Sequence, residues 1–76
     1  MPRKLRELRA EMRRHGARVT AQAGSHEKWK HPLVQSAYVE LSGADGADAK
    51  PYQEKDVKRL IREIRVAEEA QRRQQP

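Results

Sequence analysis

Cysteine is absent from the 76 residues, which excludes disulfides and thiolate metal sites and makes the cytoplasm the simplest compartment. Phenylalanine is absent too, so Trp29, Tyr38 and Tyr52 are the only aromatic side chains. The platforms that hold single-stranded nucleic acid by stacking use more rings than that, and shape and phosphate contacts are the better expectation for any nucleic-acid binding. No apolar run approaches the ~20 residues that span a bilayer and no signal-peptide core is present, so no membrane association is expected. No histidine pair stands at helical ligand spacing, no carboxylates cluster tightly, and Asp45 and Asp48 lack the spacing of a calcium loop; no metal is expected. Nothing resembles the phosphate-binding glycine loop of nucleotide hydrolases, and no cofactor is expected.

What the chain has instead is positive charge. Seventeen Lys plus Arg against eleven Asp plus Glu give a formal charge of +6 and a pI near 10.2. Such a balance suits a polyanion such as nucleic acid, or an acidic protein partner. The length fits a single domain over residues 1–76, with a core within about 3–70 and a polar tail at 71–76 expected to be disordered. A chain this short buries only ~60% of the surface it exposes when unfolded, so its core is thin.

Residues 3–15 read as an amphipathic helix, with Leu5, Leu8 and Met12 on one stripe and Gly16 as its stop. Its basic residues (Arg3, Lys4, Arg6, Arg9, Arg13 and Arg14) outnumber Glu7 and Glu11, so most of that charge is expected to be available for phosphates. Residues 17–23 alternate, Ala17, Val19 and Ala21 against Arg18, Thr20 and Gln22, which predicts a strand. Gly24 suits a tight turn into a second strand at 26–31, closed by Pro32. A third strand follows at 35–41, with Ala37, Val39 and Leu41 opposite Tyr38 and Glu40. Residues 42–51 make a loop of the long, small-residue kind that is often mobile or functional. The strongest periodicity, Val57, Leu60, Ile61 and Ile64, predicts a second helix over 53–70. The expected fold is therefore α+β, in the order α-β-β-β-α: a three-stranded antiparallel sheet with both helices on one face.

The chemistry concentrates in Gly24-Ser25-His26-Glu27-Lys28-Trp29-Lys30-His31-Pro32. Strand alternation sets His26, Lys28 and Lys30 on one face and Glu27, Trp29 and His31 on the other. Trp29 is expected in the core, which leaves His26 in solvent between cations. His15 reads as a helix C-terminal cap and His31 as a structural residue before proline. Ser25 either orients His26 or serves the turn.

These residues resemble the HicA family of bacterial toxin–antitoxin systems. The resemblance lies in Arg3-Lys4-Leu5 opening a helix that ends at His15-Gly16, in Gly24-Ser25-His26 with Trp29-Lys30-His31-Pro32, and in the last helix with Val57, Leu60 and Ile61. It spans roughly residues 3–67. The chain departs from the family pattern at 42–49, where an acidic, glycine-containing loop replaces a basic segment with a further histidine. The resemblance implies a double-stranded-RNA-binding-domain-like fold and a ribonuclease that cleaves mRNA, neutralised by a HicB-like antitoxin, with any homo-oligomer formed through that complex. It places the functional histidine at His26.

Such chemistry needs no metal, because RNA carries its own nucleophile in the 2′-hydroxyl. Histidine suits the proton transfers, its ordinary pKa of ~6.5 lying close to cellular pH. Lys28 and Lys30 are expected to hold the phosphate and meet its developing charge, with Ser25, Arg13 and Arg18 as further RNA contacts. One positioned base predicts a slow nuclease. The alternative is a non-catalytic RNA-binding module of the same fold.

Overall fold

A computed structural model of the chain describes residues 2–74. The element order is α1 (Leu5–Arg14), β1 (Arg18–Ala23), β2 (His26–His31), β3 (Val34–Leu41) and α2 (Pro51–Gln74). The strands form one antiparallel sheet in the order β1-β2-β3, as the alternating pattern predicts. Among the described residues, no helix is long and apolar enough to cross a membrane.

The core follows from the apolar stripes. Leu5, Leu8 and Met12 of α1 and Val57, Leu60, Ile61 and Ile64 of α2 pack on the sheet face that carries Trp29, Val39 and Leu41. Trp29 is the largest of the fully buried side chains, 1% exposed. Its indole N–H donates to Glu27 Oε1 at 3.1 Å, so the ring's polar edge is satisfied inside the core.

Two local signals set the entry to the site. Gly16, at φ 89°, ends α1 in the left-handed conformation expected of a helix stop. Gly24 takes φ 60° while Ser25 does not share a positive φ, the pattern of a type II′ turn with glycine first. Ala23 therefore pairs with His26 across a two-residue turn.

The alternation of the first strand does not survive intact. Val19 pairs with Trp29 and Ala21 with Lys28, so the register shifts between them and Thr20 is the extra residue of a bulge. Beyond it, Ala21 belongs to the face of Lys28 and not to that of Val19. Nothing in the side-chain pattern of so small and polar a strand marks the bulge, and every residue of β1 is exposed.

The second helix begins at Pro51, two residues before its expected start, and runs to Gln74, four past its expected end. Proline suits the first helical position, where no N–H is needed. Gln53 completes the start, its side-chain oxygen accepting from the Lys50 N–H at 2.8 Å. Arg72 and Arg73 both pair with Glu69, which supports the last turns. Of the expected tail, residues 71–74 are thus helical, and 75 and 76 lie outside the described residues.

The loop before α2 differs most from expectation, because it is an anchor. Leu5 and Arg6 donate their backbone N–H groups to Ala47 O and Asp45 O at 2.9 and 3.1 Å, and Ala49 N–H donates to Arg3 O at 2.7 Å. The loop so satisfies donors that the N-terminus of α1 would otherwise leave open. Lys4 Nζ reaches Asp48 Oδ1 at 2.5 Å. Gly43 adopts φ 121°, and a Cβ there would stand 2.8 Å from Leu5 Cδ1. Gly43→Ala combines a disfavoured backbone with a clash in the core, and a loss of about 1–3 kcal/mol is expected in urea unfolding.

Arg9 binds the parts together. It is the most deeply placed cation, its side chain 7% exposed, and its guanidinium reaches three acceptors: Glu27 at 2.9 Å, Asp45 at 2.5 Å and Gly43 O at 2.7 Å. Burial by itself disfavours the charged guanidinium, but the hydrogen bonds and charges of Glu27 and Asp45 outweigh it and hold the Arg9 pKa above the ordinary arginine value. Arg9 is therefore not among the cations free to meet phosphates.

Candidate nucleic-acid interface

With both helices packed on the Trp29 face, the opposite face of the sheet is open. Cross-strand pairing brings its residues together: Arg18 opposite Lys30, Ala21 opposite Lys28, Ala23 opposite His26, and Lys28 opposite Glu40 on the other side. His26, Lys28, Lys30 and Arg18 share this surface, as alternation along β2 predicts. The His26 side chain is 65% exposed.

Two residues of β3 complete the group. Glu40 Oε2 stands 3.9 Å from His26 Nδ1, within ionic reach but beyond a hydrogen bond. Tyr38 lies beneath the two lysines, its ring centroid 4.7 Å from Lys28 Nζ and 6.0 Å from Lys30 Nζ. Contacts of this kind contribute about 0.5–1 kcal/mol at an exposed site and hold otherwise mobile ammonium groups in register. The sequence pattern puts Tyr38 and Glu40 on one face of their strand, but only the strand pairing shows that it is the face of His26. A shallow depression of about 280 Å³ runs past His26, Lys28 and Glu40 along Ala21 and Ala23.

The remaining candidates are distributed differently. Ser25 occupies the exposed turn immediately before His26. Arg13 stands on the helical side, its guanidinium carbon 5.2 Å from the centre of the Trp29 ring, and does not join the His26 group. His31 is occupied in its own turn, where its Nδ1 accepts the Leu33 N–H at 3.0 Å. His15 sits at the C-cap of α1, its backbone N–H shared between Glu11 O and Met12 O. His26 is thus the one histidine placed among the open-face cations. Among the described residues, no three histidine or acidic side chains stand together as metal ligands.

Fold and site together define a small α+β domain with one apolar, helix-covered sheet face and one open cationic face with a histidine at its turn end. Comparisons of the chain with protein-family models, with curated proteins and with solved structures find no match.

Proposed function

We propose that this chain is a metal-independent endoribonuclease of the HicA type, the toxin of a toxin–antitoxin pair. In this reading it acts on mRNA in the cytoplasm through His26 and is held in check by a HicB-like antitoxin. The observation that carries the reading is an exposed histidine beside Lys28, on a sheet face that the fold leaves uncovered and that continues to Lys30 and Arg18 at its far end.

The chemistry follows from that placement. Glu40 lies beside Nδ1, which leaves Nε2 to approach the RNA. The imidazole takes the proton of a 2′-hydroxyl, the freed oxygen attacks the adjacent phosphorus, and the bond from phosphorus to the 5′ oxygen breaks. The resulting imidazolium, attracted by the Glu40 carboxylate, returns a proton to that leaving oxygen. Lys28 and Lys30 meet the negative charge that grows on the phosphoryl oxygens. At the margin between β3 and α2 the carboxylates Glu40, Asp56 and Glu63 outnumber Arg59, itself paired with Asp56, which makes the β1 side with Arg18 the more favourable path for the RNA strand. The products are a 2′,3′-cyclic phosphate and a 5′-hydroxyl.

The test is incubation of the purified chain with mRNA in EDTA, followed by analysis of the new ends. Cyclic-phosphate termini are the expected result, and intact RNA would overturn the reading in favour of the non-catalytic RNA-binding module. Binding gives a separate check. Replacing Lys28 and Lys30 together by alanine is expected to reduce the slope of log affinity against log salt by about 1.4 for single-stranded RNA, at about 0.7 for each phosphate left without its lysine.

A further inference from the structure

A concavity of about 760 Å³ lies away from His26, on the far side of the sheet between α1 and α2. Its rim is a row of cations from one helix. Lys55, Lys58, Arg62 and Arg65 fall at i, i+3, i+7 and i+10, a single stripe that spans about 15 Å at 1.5 Å per residue. None of the four is ion-paired: among the described residues, the ion pairs of α2 are Arg59 with Asp56 and Arg72 and Arg73 with Glu69, and the carboxylates that flank Arg65, Glu68 and Glu69, stand beyond the groove's C-terminal end. Across the groove stands Arg3, already paired with Glu11 at 2.7 Å. Glu54 is the other carboxylate on the rim, at the N-terminal end of the stripe. Elsewhere on the molecule two cations of α1 and its N-cap are taken up by structure, Lys4 by Asp48 and Arg9 by Glu27 and Asp45.

We infer that this groove is a second RNA-binding surface, one that holds the sugar–phosphate backbone of a long or folded RNA while another segment of the same molecule lies on the His26 face. The choice of RNA over other polyanions rests on the proposed ribonuclease function. The groove offers phosphates a line of cations at regular intervals and offers a base no aromatic ring to stack on, since none of its lining residues is aromatic. It therefore reads the backbone and is indifferent to sequence. A docked protein would require apolar anchors, and here the apolar lining is Pro51 and Ile61, the latter almost wholly buried. Because the two cationic surfaces lie on opposite sides of the sheet, a short RNA occupies only one of them. An RNA long or folded enough to reach both gains affinity from the pair.

The experiment compares the full chain with its Lys58→Glu/Arg62→Glu variant on two RNAs, a structured hairpin and a tetranucleotide. Both substituted side chains are exposed. The variant is expected to bind the hairpin at least tenfold more weakly at moderate salt, with the salt slope reduced by about 1.8, two phosphates at about 0.9 each. Its kcat/KM on the tetranucleotide is expected to be unchanged. The neutral variant Lys58→Gln/Arg62→Gln should fall between parent and reversal, a graded response to charge that misfolding would not produce. Unchanged hairpin affinity and slope would overturn the inference, and cleavage by that variant at the parent's rate would leave the ribonuclease reading standing. A parent that binds the hairpin through the stripe yet cuts neither RNA would do the reverse. Affinity of the parent that persists at high salt would overturn the groove as a phosphate site and point to an acidic protein instead.

Discussion

Replacing Arg9 by alanine is expected to destabilise the fold by about 3 kcal/mol and to lower its melting temperature by roughly 12–24 °C, given about 4–8 °C per kcal/mol at this size. The reason is what the substitution leaves behind. Glu27 loses the cation that balances it in a site where its side chain is mostly covered, while Asp45 and the Gly43 carbonyl lose the donor that ties their loop to α1. A half-broken buried pair costs more than its absence, because the remaining charge has already been taken out of water. Arg9→Lys keeps the charge but not the fork, and cannot reach three acceptors on two elements at once. Its melting temperature is expected between those of the parent and Arg9→Ala. Thermal unfolding followed by circular dichroism checks both, and a change of under about 2 °C for the alanine variant would remove Arg9 from the account of stability.

Replacing His26 by alanine is expected to lower RNA cleavage by about 10²–10⁴-fold, the range that one positioned proton-transfer group contributes. RNA affinity should change by less than about twofold, because the phosphate contacts assigned to Lys28, Lys30 and Arg18 remain. The fold should be indifferent to the change, since the side chain stands mostly in solvent and its nearest carboxylate lies beyond hydrogen-bond distance. A loss of activity without a loss of binding or stability is what separates a reacting group from a turn residue.

The architecture was legible because its signals are redundant. Two helical stripes, three alternating stretches and glycine at both Gly16 and Gly24 all point to one arrangement, and β2 falls at His26–His31 as the sequence predicts. Arg9 was not legible. Within the expected helix 3–15 it is one of six basic residues without any local mark, and its partners Glu27 and Asp45 lie 18 and 36 positions away. The same holds for the loop, whose small residues suggest mobility until its carbonyls are seen to meet the N–H groups of α1. Tyr38 and Glu40 could be assigned to a face of β3 but not to the neighbourhood of His26, since strand order and register decide that. Arg13 shows the converse limit, a cation correctly read as surface charge whose helix carries it to the other side of the sheet.

One comparison tests the central claim, that the exposed histidine of the open cationic face cuts RNA. Parent and His26→Ala are incubated with a mixed mRNA in EDTA, and affinity for the same RNA is measured alongside. Cleavage by the parent only, with both proteins binding alike, is the predicted result. Equal cleavage by both, or binding by both without cleavage by either, would contradict it.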